Sequence, residues 1–366
     1  MKNRIFFLLL LVCAFLPASS QDTAAVSGIR FEDLSLREAM AKAKTEGKKV
    51  FVDCYTQTCG PCKYMMKNIF PLKECGDYFN PRYVSLARDM NVGEGPEMGR
   101  KYEVGIYPTF LIINPDGTLY CKEIGAVRLN SKVSFVEKMK RAVERTELAV
   151  KYDAGERDGQ LVRRYAELLR ESGDRKADEV VNDYLLSMTV DELCREDNWQ
   201  MMVTDVRSPE APVFRRLLDE RETFGERLGR KTVEDKLLAV YKDEFDMYKK
   251  MGMDFARRIQ DLSLLEKEGC GRARPLAECM TLRWIIDGKQ KGRMAEIVAI
   301  LERLGSLPTD KDRMAVIREL SGFERVADTR LRAKACKALE KNRKSMSEAD
   351  SAATAKTISR ISPDRQ

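Results

Sequence analysis

Two cysteines three residues apart, Cys59 and Cys62, have the type and spacing in this chain that most directly suggest chemistry. They close the tetrad Cys59-Gly60-Pro61-Cys62 within the stretch DCYTQTCGPCKYM, residues 53–65. A C-x-x-C pair can be a redox centre, half of a metal site, or two small buried side chains. The choice between these interpretations depends on the rest of the sequence.

Histidine is absent from all 366 residues, and this absence removes whole classes of chemistry. It excludes Ser/His/Asp and Cys/His nucleophile systems, mixed Cys/His zinc sites, and haem attachment through C-x-x-C-H. A zinc site would need four thiolates, but there is no second C-x-x-C, and Cys54, Cys75 and Cys121 are scattered. We therefore expect no metal and no other cofactor.

The residues around the pair predict a strand that ends just before it and a helix that begins on it. Lys49 to Cys54 (KVFVDC) is short and mostly apolar, and CKYMMKNIF is helical in character until Pro71 stops it. Cys59 would then lie at a helix N-terminus, where unpaired N–H groups and the positive end of the dipole stabilise a thiolate. Cys62, one turn further in, would attack a mixed disulfide formed on Cys59. The pair is thus expected to form a redox-active Cys59–Cys62 disulfide.

The segment VFVDCYTQTCGPCK resembles the active-site segment of the thioredoxin superfamily, where Cys-Gly-Pro-Cys followed by lysine is the thioredoxin form. The resemblance spans about residues 31–127 and is more specifically to exported bacterial thioredoxin-like proteins, many from Bacteroidetes. Thr58 departs from the family pattern, because thioredoxins usually carry a client-contacting tryptophan there. The resemblance implies further site residues: a buried acid at Asp53, a cis-proline loop at Tyr107, Pro108 and Thr109, a groove glycine at Gly125, and substrate contacts at Gly60 and Pro61.

Physical roles follow for two of these features. Asp53, on a strand expected to be buried on both faces, would hold its proton more tightly than a free aspartate and accept the proton of Cys62 through water. A cis Tyr107–Pro108 bond would expose backbone beside Cys59, so that an extended client segment could pair with it. The structural alternatives are a surface carboxylate at Asp53, a trans proline in the loop, and an inert disulfide.

Helical and strand signals alternate from Phe31 to about Val127, which predicts an α/β thioredoxin-like fold with a mixed sheet sandwiched by helices. From Asn130 onward strand signals nearly vanish, which predicts an all-α domain of hairpins that resemble tetratricopeptide repeats. The expected segments are a signal peptide at 1–20, the thioredoxin-like domain at 21–130, the helical domain at 131–345 and a disordered tail at 346–366.

The first twenty residues, MKNRIFFLLLLVCAFLPASS, are typical of a secretory signal peptide that is cleaved near Ser20. No later run approaches the roughly 20 apolar residues of a transmembrane helix, so we expect a soluble protein that is periplasmic or secreted. The formal charge of +7, with both signs interspersed, favours a solvated surface and argues against nucleic-acid partners.

The Gly60-Pro61 dipeptide between the cysteines resembles the reducing members of the superfamily. We therefore expect an enzyme that reduces or isomerises the disulfides of client proteins and draws its electrons from a membrane electron donor. The alternative is a binding protein, in which the helical domain recruits partners and the thioredoxin-like domain is a scaffold. No chemical role is predicted for any residue beyond Asn130.

The remaining cysteines are expected to be structural. Cys54, Cys75 and Cys121 would be small buried side chains, with an auxiliary Cys75–Cys121 disulfide as the alternative. Cys270 and Cys279 are expected to be buried or, in an oxidising compartment, to close a short loop. Loss of the signal peptide would leave nine cysteines, so at least one thiol stays unpaired within the chain.

Overall fold

The structure, a computed structural model, describes residues 27–288 and 291–363. The signal peptide predicted at 1–20 lies outside these residues. The chain forms two compact units, of which the first ends at Gly155 and the second begins at Glu156. No helix within the described ranges is long and apolar enough to cross a membrane.

The first unit alternates helices and strands, as the sequence predicts. Its elements are α1 Leu36–Glu46, β1 Lys49–Tyr55, α2 Gly60–Tyr64, α3 Lys73–Phe79, β2 Tyr83–Asp89, α4 Gly95–Lys101, β3 Thr109–Ile113, β4 Leu119–Ile124 and α5 Phe135–Asp153. A π-helical turn, Met65–Ile69, continues α2. The strands form one sheet in the order β2-β1-β3-β4, in which β1 and β2 are parallel and the other pairs antiparallel. This arrangement confirms the predicted mixed sheet.

Side chains alternate between the two faces of the sheet, and helices cover both faces. On one face Phe51 and Phe110 pack with Phe135 of α5 and with residues of α3 and the π-helical turn. On the other face Val52 packs with Met98 of α4 and with residues of α1. Burying a phenylalanine side chain stabilises a fold by roughly 1.5–3 kcal/mol, so the aromatic face is a main source of stability. The sheet is therefore sandwiched by helices, as predicted.

The domain boundary predicted at residue 130 is wrong. The first unit ends at Gly155, about one long helix later. Helix α5 begins at Phe135, with Ser134 as its N-cap, and buries Phe135, Met139 and Ala142 against the sheet. Its apolar stripe thus completes the core of the first unit rather than starting a new one. A helical pattern alone does not show which core a helix joins, so the boundary at Gly155 is a tertiary feature.

The second unit is helical throughout its described residues, which confirms the all-α prediction. Its helices are α6 Gly159–Glu171, α7 Lys176–Leu186, α8 Val190–Leu193, α9 Glu196–Asp205, α10 Pro212–Asp219, α11 Arg221–Leu228, α12 Arg230–Met251, α13 Ala256–Lys267, α14 Arg274–Ile286, α15 Met294–Glu302, α16 Asp310–Arg318, α17 Thr329–Arg343 and α18 Glu348–Ile361. Their lengths range from four residues in α8 to 22 in α12. A repeat array needs a near-constant unit, so these lengths do not support the predicted tetratricopeptide-like repeat.

The disordered tail predicted at 346–366 is also wrong, because α18 occupies most of it. Ser347 caps the helix by accepting a hydrogen bond from the N–H of Asp350, and Thr354 and Ile361 are fully buried. The Ser/Ala/Thr composition suggested disorder, but alanine is the strongest helix former, and two buried positions suffice to dock the helix.

The alternative disulfides predicted outside the tetrad are not formed. Cys75, Cys121, Cys270 and Cys279 are all free thiols with buried side chains, so the burial interpretation holds for both pairs. Burial raises the pKa of Cys75 to about 12 and that of Cys121 to about 11. Both thiols therefore stay protonated at neutral pH and are poor nucleophiles. Cys54 is likewise a buried free thiol in the sheet core, as predicted.

Candidate active site

Cys59 and Cys62 form a disulfide at the start of α2, with their Cα atoms 5.3 Å apart. Cys59 is the N-cap of the helix, and its Sγ accepts a hydrogen bond from the N–H of Cys62 at 3.2 Å. Cys59 is partly exposed, whereas Cys62 is fully buried. After reduction, only the Cys59 sulfur could meet a large substrate, and the helix N-terminus would stabilise its thiolate.

The local sequence explains why the pair sits there. Strand β1 ends at Tyr55, and the N–H of Cys59 donates to the carbonyl of Thr56 at 3.1 Å, which turns the chain out of the sheet. Pro61 then lies in the first turn of α2, where its fixed φ suits a helix and its missing N–H costs nothing. The strand–turn–helix order predicted around the tetrad is therefore correct.

Asp53 lies on β1 and is completely buried. It follows Phe51 by two residues and pairs with Phe110 of β3, so its side chain faces the layer that contains α5 and the π-helical turn after Cys62. Neither carboxylate oxygen has a hydrogen-bond partner among the described protein atoms. Burial raises the pKa of Asp53 from its ordinary 3.8 to about 7. The group can therefore accept or release a proton near neutral pH, as its predicted role requires.

The Tyr107–Pro108 bond is cis, as predicted. Thr109, the first residue of β3, is paired with Cys54 near the end of β1 and with Ile124 at the end of β4. The cis-proline loop therefore lies at the same end of the sheet as the C-terminal end of β1, from which the chain leads to Cys59. The predicted site residues thus come together at one end of the strands.

Gly125 lies next to this loop, where its N–H donates to the carbonyl of Pro108 at 2.9 Å. Its φ is +93°, a conformation that favours glycine. Thr109 closes the other side of the loop, because its hydroxyl donates to the carbonyl of Ile106 at 2.6 Å. Gly60 and Pro61 are exposed beside the disulfide. These positions fit the substrate-contact roles that the resemblance implies, and the roles themselves stay predictions.

Two residues of the site were not predicted. Ile106, just before the cis bond, leaves 60% of its surface exposed and so presents a large apolar side chain to solvent beside the candidate active site. Lys138 of α5 donates to the carbonyls of Ile124 and Gly125 at 2.6 and 2.8 Å and so ties the groove glycine to the helix. The sequence feature that could have pointed to Lys138 is its spacing from Arg145. The two residues are seven apart and so share one face of the helix, and both side chains lie near Glu123.

Replacing Lys138 with methionine removes two hydrogen bonds that hold the Gly125 loop, while the side chain keeps much of its apolar volume. For a protein disulfide, the substrate class that the resemblance implies, we expect the KM to rise about three- to tenfold, with kcat changed less than about twofold, because the Gly125 loop is loosened and the cysteines are untouched. Steady-state kinetics of disulfide reduction measure both constants. Lys151→Met, an exposed position on the same helix, is the matched control. A fall in kcat alone would contradict the docking role.

No cluster of three or more His, Cys, Asp or Glu side chains able to hold a metal ion is found in residues 27–288 and 291–363.

Residues 36–140 match the family model of the thioredoxin-like domain. Thioredoxin AMT13 of Alternaria alternata is 31% identical over 83 residues, which are 23% of this chain and 64% of that protein. Mitochondrial thioredoxin-3 of Saccharomyces cerevisiae is 35% identical over 81 residues, which are 22% of this chain and 58% of that protein. The chain thus spans less than two thirds of these curated relatives.

A candidate disulphide isomerase from Bacteroides thetaiotaomicron, known from its solution structure, is also similar to this chain. It is 38% identical, with a TM-score of 0.28, and the match covers 34% of this chain and 96% of that one. The family match to this chain ends at residue 140 and so includes the sheet, the cysteine pair and the first part of α5. The first unit of this protein is therefore a thioredoxin-like domain, and the helical second unit lies beyond that match.

Proposed function

We propose that the protein is an exported thiol–disulfide oxidoreductase that reduces or isomerises protein disulfides through its Cys59–Cys62 dithiol. One observation carries the proposal: a partly exposed cysteine and a buried cysteine share a disulfide at a helix N-terminus, on a domain whose sheet buries an unpartnered carboxyl at Asp53. An inert structural disulfide needs neither the exposed cysteine nor the buried acid. Each of these features has a place in a two-step exchange.

In the first step the Cys59 thiolate attacks one sulfur of a client disulfide. A Cys59–client disulfide forms, the client disulfide breaks, and the departing client sulfur takes up a proton. In the second step Cys62 gives its proton to Asp53 and attacks the Cys59 sulfur. The mixed disulfide breaks, the second client thiolate leaves, and the Cys59–Cys62 disulfide remains. Two electrons pass from the dithiol to the client in each cycle.

Continued reduction needs two electrons per cycle from another protein. Gly60 and Pro61 resemble the reducing members of the superfamily, which favours reduction or isomerisation over oxidation. If the signal peptide is cleaved near Ser20, the protein acts in the periplasm or outside the cell, and we propose a membrane electron donor for it. Its clients would be exported proteins with disulfides.

The direct test is the reduction of insulin disulfides, with dithiothreitol as the electron source and residues 21–366 as the enzyme. The precipitation of the released insulin B chain should run faster than with dithiothreitol alone. Cys59→Ser should return the rate to that of dithiothreitol, and refolding of scrambled ribonuclease separates isomerisation from reduction. An unmodified protein that accelerates neither reaction rules the proposal out.

The binding-protein alternative is favoured by a feature of the second unit. A groove of about 870 Å³ lies between α15 and α17, with the exposed Lys334, Lys337 and Lys341 on α17 and one exposed acid, Glu302, on α15. Its charged lining is therefore positive on balance. By charge complementarity such a groove suits an acidic client segment. We would delete the gene and ask whether a Cys59→Ser/Cys62→Ser protein restores growth of the deletion strain as fully as the unmodified protein does. Full restoration by the double variant would support this alternative over the enzyme.

A further inference from the structure

A second buried polar group without a partner lies near Asp53, and neither the family match nor the sequence signals point to it. Ser85 of β2 is 1% exposed, and its Oγ has no hydrogen-bond partner among the described protein atoms. Its backbone is satisfied, since its carbonyl accepts from the N–H of Glu32 at 2.8 Å. Leaving a buried hydroxyl unpaired is costly, so the group calls for an explanation.

The strand register places the two unpaired groups on the same face of the sheet. In the parallel pair of β1 and β2, Phe51 is opposite Ser85 and Asp53 is opposite Ala87. Residues opposite each other point to the same face, and so do residues two apart along a strand. Ser85 and Asp53 are therefore diagonal neighbours on the face that packs against α5.

The separation suits one bridging molecule rather than a direct bond. Neighbouring strands lie roughly 4.8 Å apart and rise roughly 3.3 Å per residue, so these diagonal neighbours are roughly 8 Å apart between Cα atoms. The short side chains of Ser85 and Asp53 form no direct hydrogen bond. A water molecule between them would find three unpaired oxygens: Oγ of Ser85 and both carboxylate oxygens of Asp53. Buried water is typically held by two to four such partners.

We propose that Ser85 is a positioning residue for Asp53: its hydroxyl and the carboxylate share one bound water, with Ser85 donating to the water and the water donating to Asp53. The network orients the carboxylate and supplies a hydrogen bond to its ionised form. Its catalytic consequence rests on the proposed function, whereas its effect on the ionisation of Asp53 does not.

The acidic side chains on the same face of the sheet have hydrogen-bond or ion-pair partners of their own, so they do not take the role proposed for Ser85. Asp89 of β2 already accepts from the N–H of Asn91 at 3.0 Å. Glu123 of β4 is held by Arg145 at 2.8 Å, with Lys138 at 3.5 Å.

The remaining titratable groups on this face of the sheet, and on the helices packed against it, are thiols and phenols. On the helices these are Tyr64, Cys75 and Tyr78, and on the strands Tyr55, Tyr83, Tyr120 and Cys121. Cys62 is bonded to Cys59 in this structure. Burial raises the pKa values of Cys75, Tyr83 and Cys121 and so keeps these three neutral. Burial is likewise what raises the pKa of Asp53, with no neighbouring charge contributing. A hydrogen bond from the bound water is therefore what can offset part of that rise.

Ser85→Ala should raise the pKa of Asp53 further, because the ionised carboxylate loses support while the protonated form loses less. The expected shift is about half to one pH unit, the size of one ordinary hydrogen bond. Ser85→Thr keeps the hydroxyl and should restore the value. Carbon-13 NMR titration of the aspartate carboxyls in the oxidised protein, with Asp53→Asn to assign the signal, measures these values without any activity assay.

The kinetic test asks whether Ser85 acts through Asp53. The pH profile of insulin reduction should move upward by the same amount in Ser85→Ala, and the shift should vanish when Ser85→Ala is made in Asp53→Asn. An unchanged Asp53 titration in Ser85→Ala overturns the inference even if the enzyme is active, whereas a shifted titration in an inactive protein upholds it and refutes only the proposed function. If Ser85→Ala does not fold, a crystal structure of the unmodified protein decides, since a Ser85 Oγ with no water bridging it to Asp53 contradicts the proposal.

Discussion

Cys62→Ser should accumulate client proteins on Cys59 as mixed disulfides, and its multiple-turnover rate should fall by about a thousandfold or more. Cys59 stays partly exposed at the helix N-terminus, so the first attack on a client still occurs. Serine is a far weaker nucleophile than a thiolate, so the second attack, which releases the client, is blocked. Non-reducing gels of whole-cell extracts, followed by mass spectrometry of the bands that dithiothreitol removes, measure the trapped species.

Two matched controls separate this mechanism from adventitious thiol chemistry. Cys59→Ser/Cys62→Ser should trap nothing, since the entry nucleophile is gone. Cys194→Ser removes a partly exposed free thiol of the helical unit and should leave trapping and turnover unchanged. Adducts that persist in the double serine variant would show that another cysteine captures clients, and the roles assigned to the pair would then be wrong.

Asp53→Asn should stabilise the first unit at pH 8 by about 4 kcal/mol and have almost no effect at pH 4. The pKa of Asp53 is about 7 in the folded chain against its ordinary 3.8. Between pH 4 and 7 the folded state binds more protons than the unfolded state, so the free energy of unfolding falls as the pH rises. Above pH 7 the full cost of burying the charge remains, about 1.4 kcal/mol for each unit of the pKa difference. Asparagine carries no charge at any pH and avoids this cost.

The measurement has to follow the first unit by itself. Both tryptophans, Trp199 and Trp284, lie in the second unit, so their fluorescence during urea unfolding serves as an internal control that Asp53→Asn should not change. Hydrogen exchange of peptides that cover β1 and β3 reports the first unit. Equal pH dependence of exchange in the unmodified protein and in Asp53→Asn would mean that Asp53 is not the titrating group.

The same substitution should slow catalysis while it increases stability. With no carboxylate to accept the Cys62 proton, resolution of the mixed disulfide at pH 7 should slow about a hundredfold, within the usual range for general-base catalysis. Stopped-flow measurement of client release from a preformed Cys59 mixed disulfide isolates this step. A stabilised variant with unaltered release would assign Asp53 a structural role only.

Much of the site was readable from the chain because its determinants are local. The tetrad, the strand before it and the helix that begins on it lie within about 20 consecutive residues, and short-range geometry alone puts Cys59 on a helix end. The burial of Asp53 followed from an apolar strand, and the cis bond at Pro108 was expected from the family motif. These features can be predicted without knowledge of the rest of the fold.

Features that depend on contacts between distant segments were misread or missed. The helical pattern alone assigns α5 to the helical domain, and composition alone assigns the residues of α18 to a disordered tail. The structure places both helices through buried residues, such as Phe135 and Ile361. Lys138 gains its role only because α5 packs beside the end of β4. Ser85 became significant only through the register of β1 and β2.

The sequence by itself determined the chemistry of this protein: a dithiol, a nearby acid and no histidine. Residue types and short spacings specify which reactive groups are present and which of them are close along the chain, and folding changes neither. Only the tertiary structure decided which sulfur is accessible, what surrounds the acid and which helix supports the groove. These properties depend on burial and on pairings between residues far apart in the chain, which a local pattern does not encode.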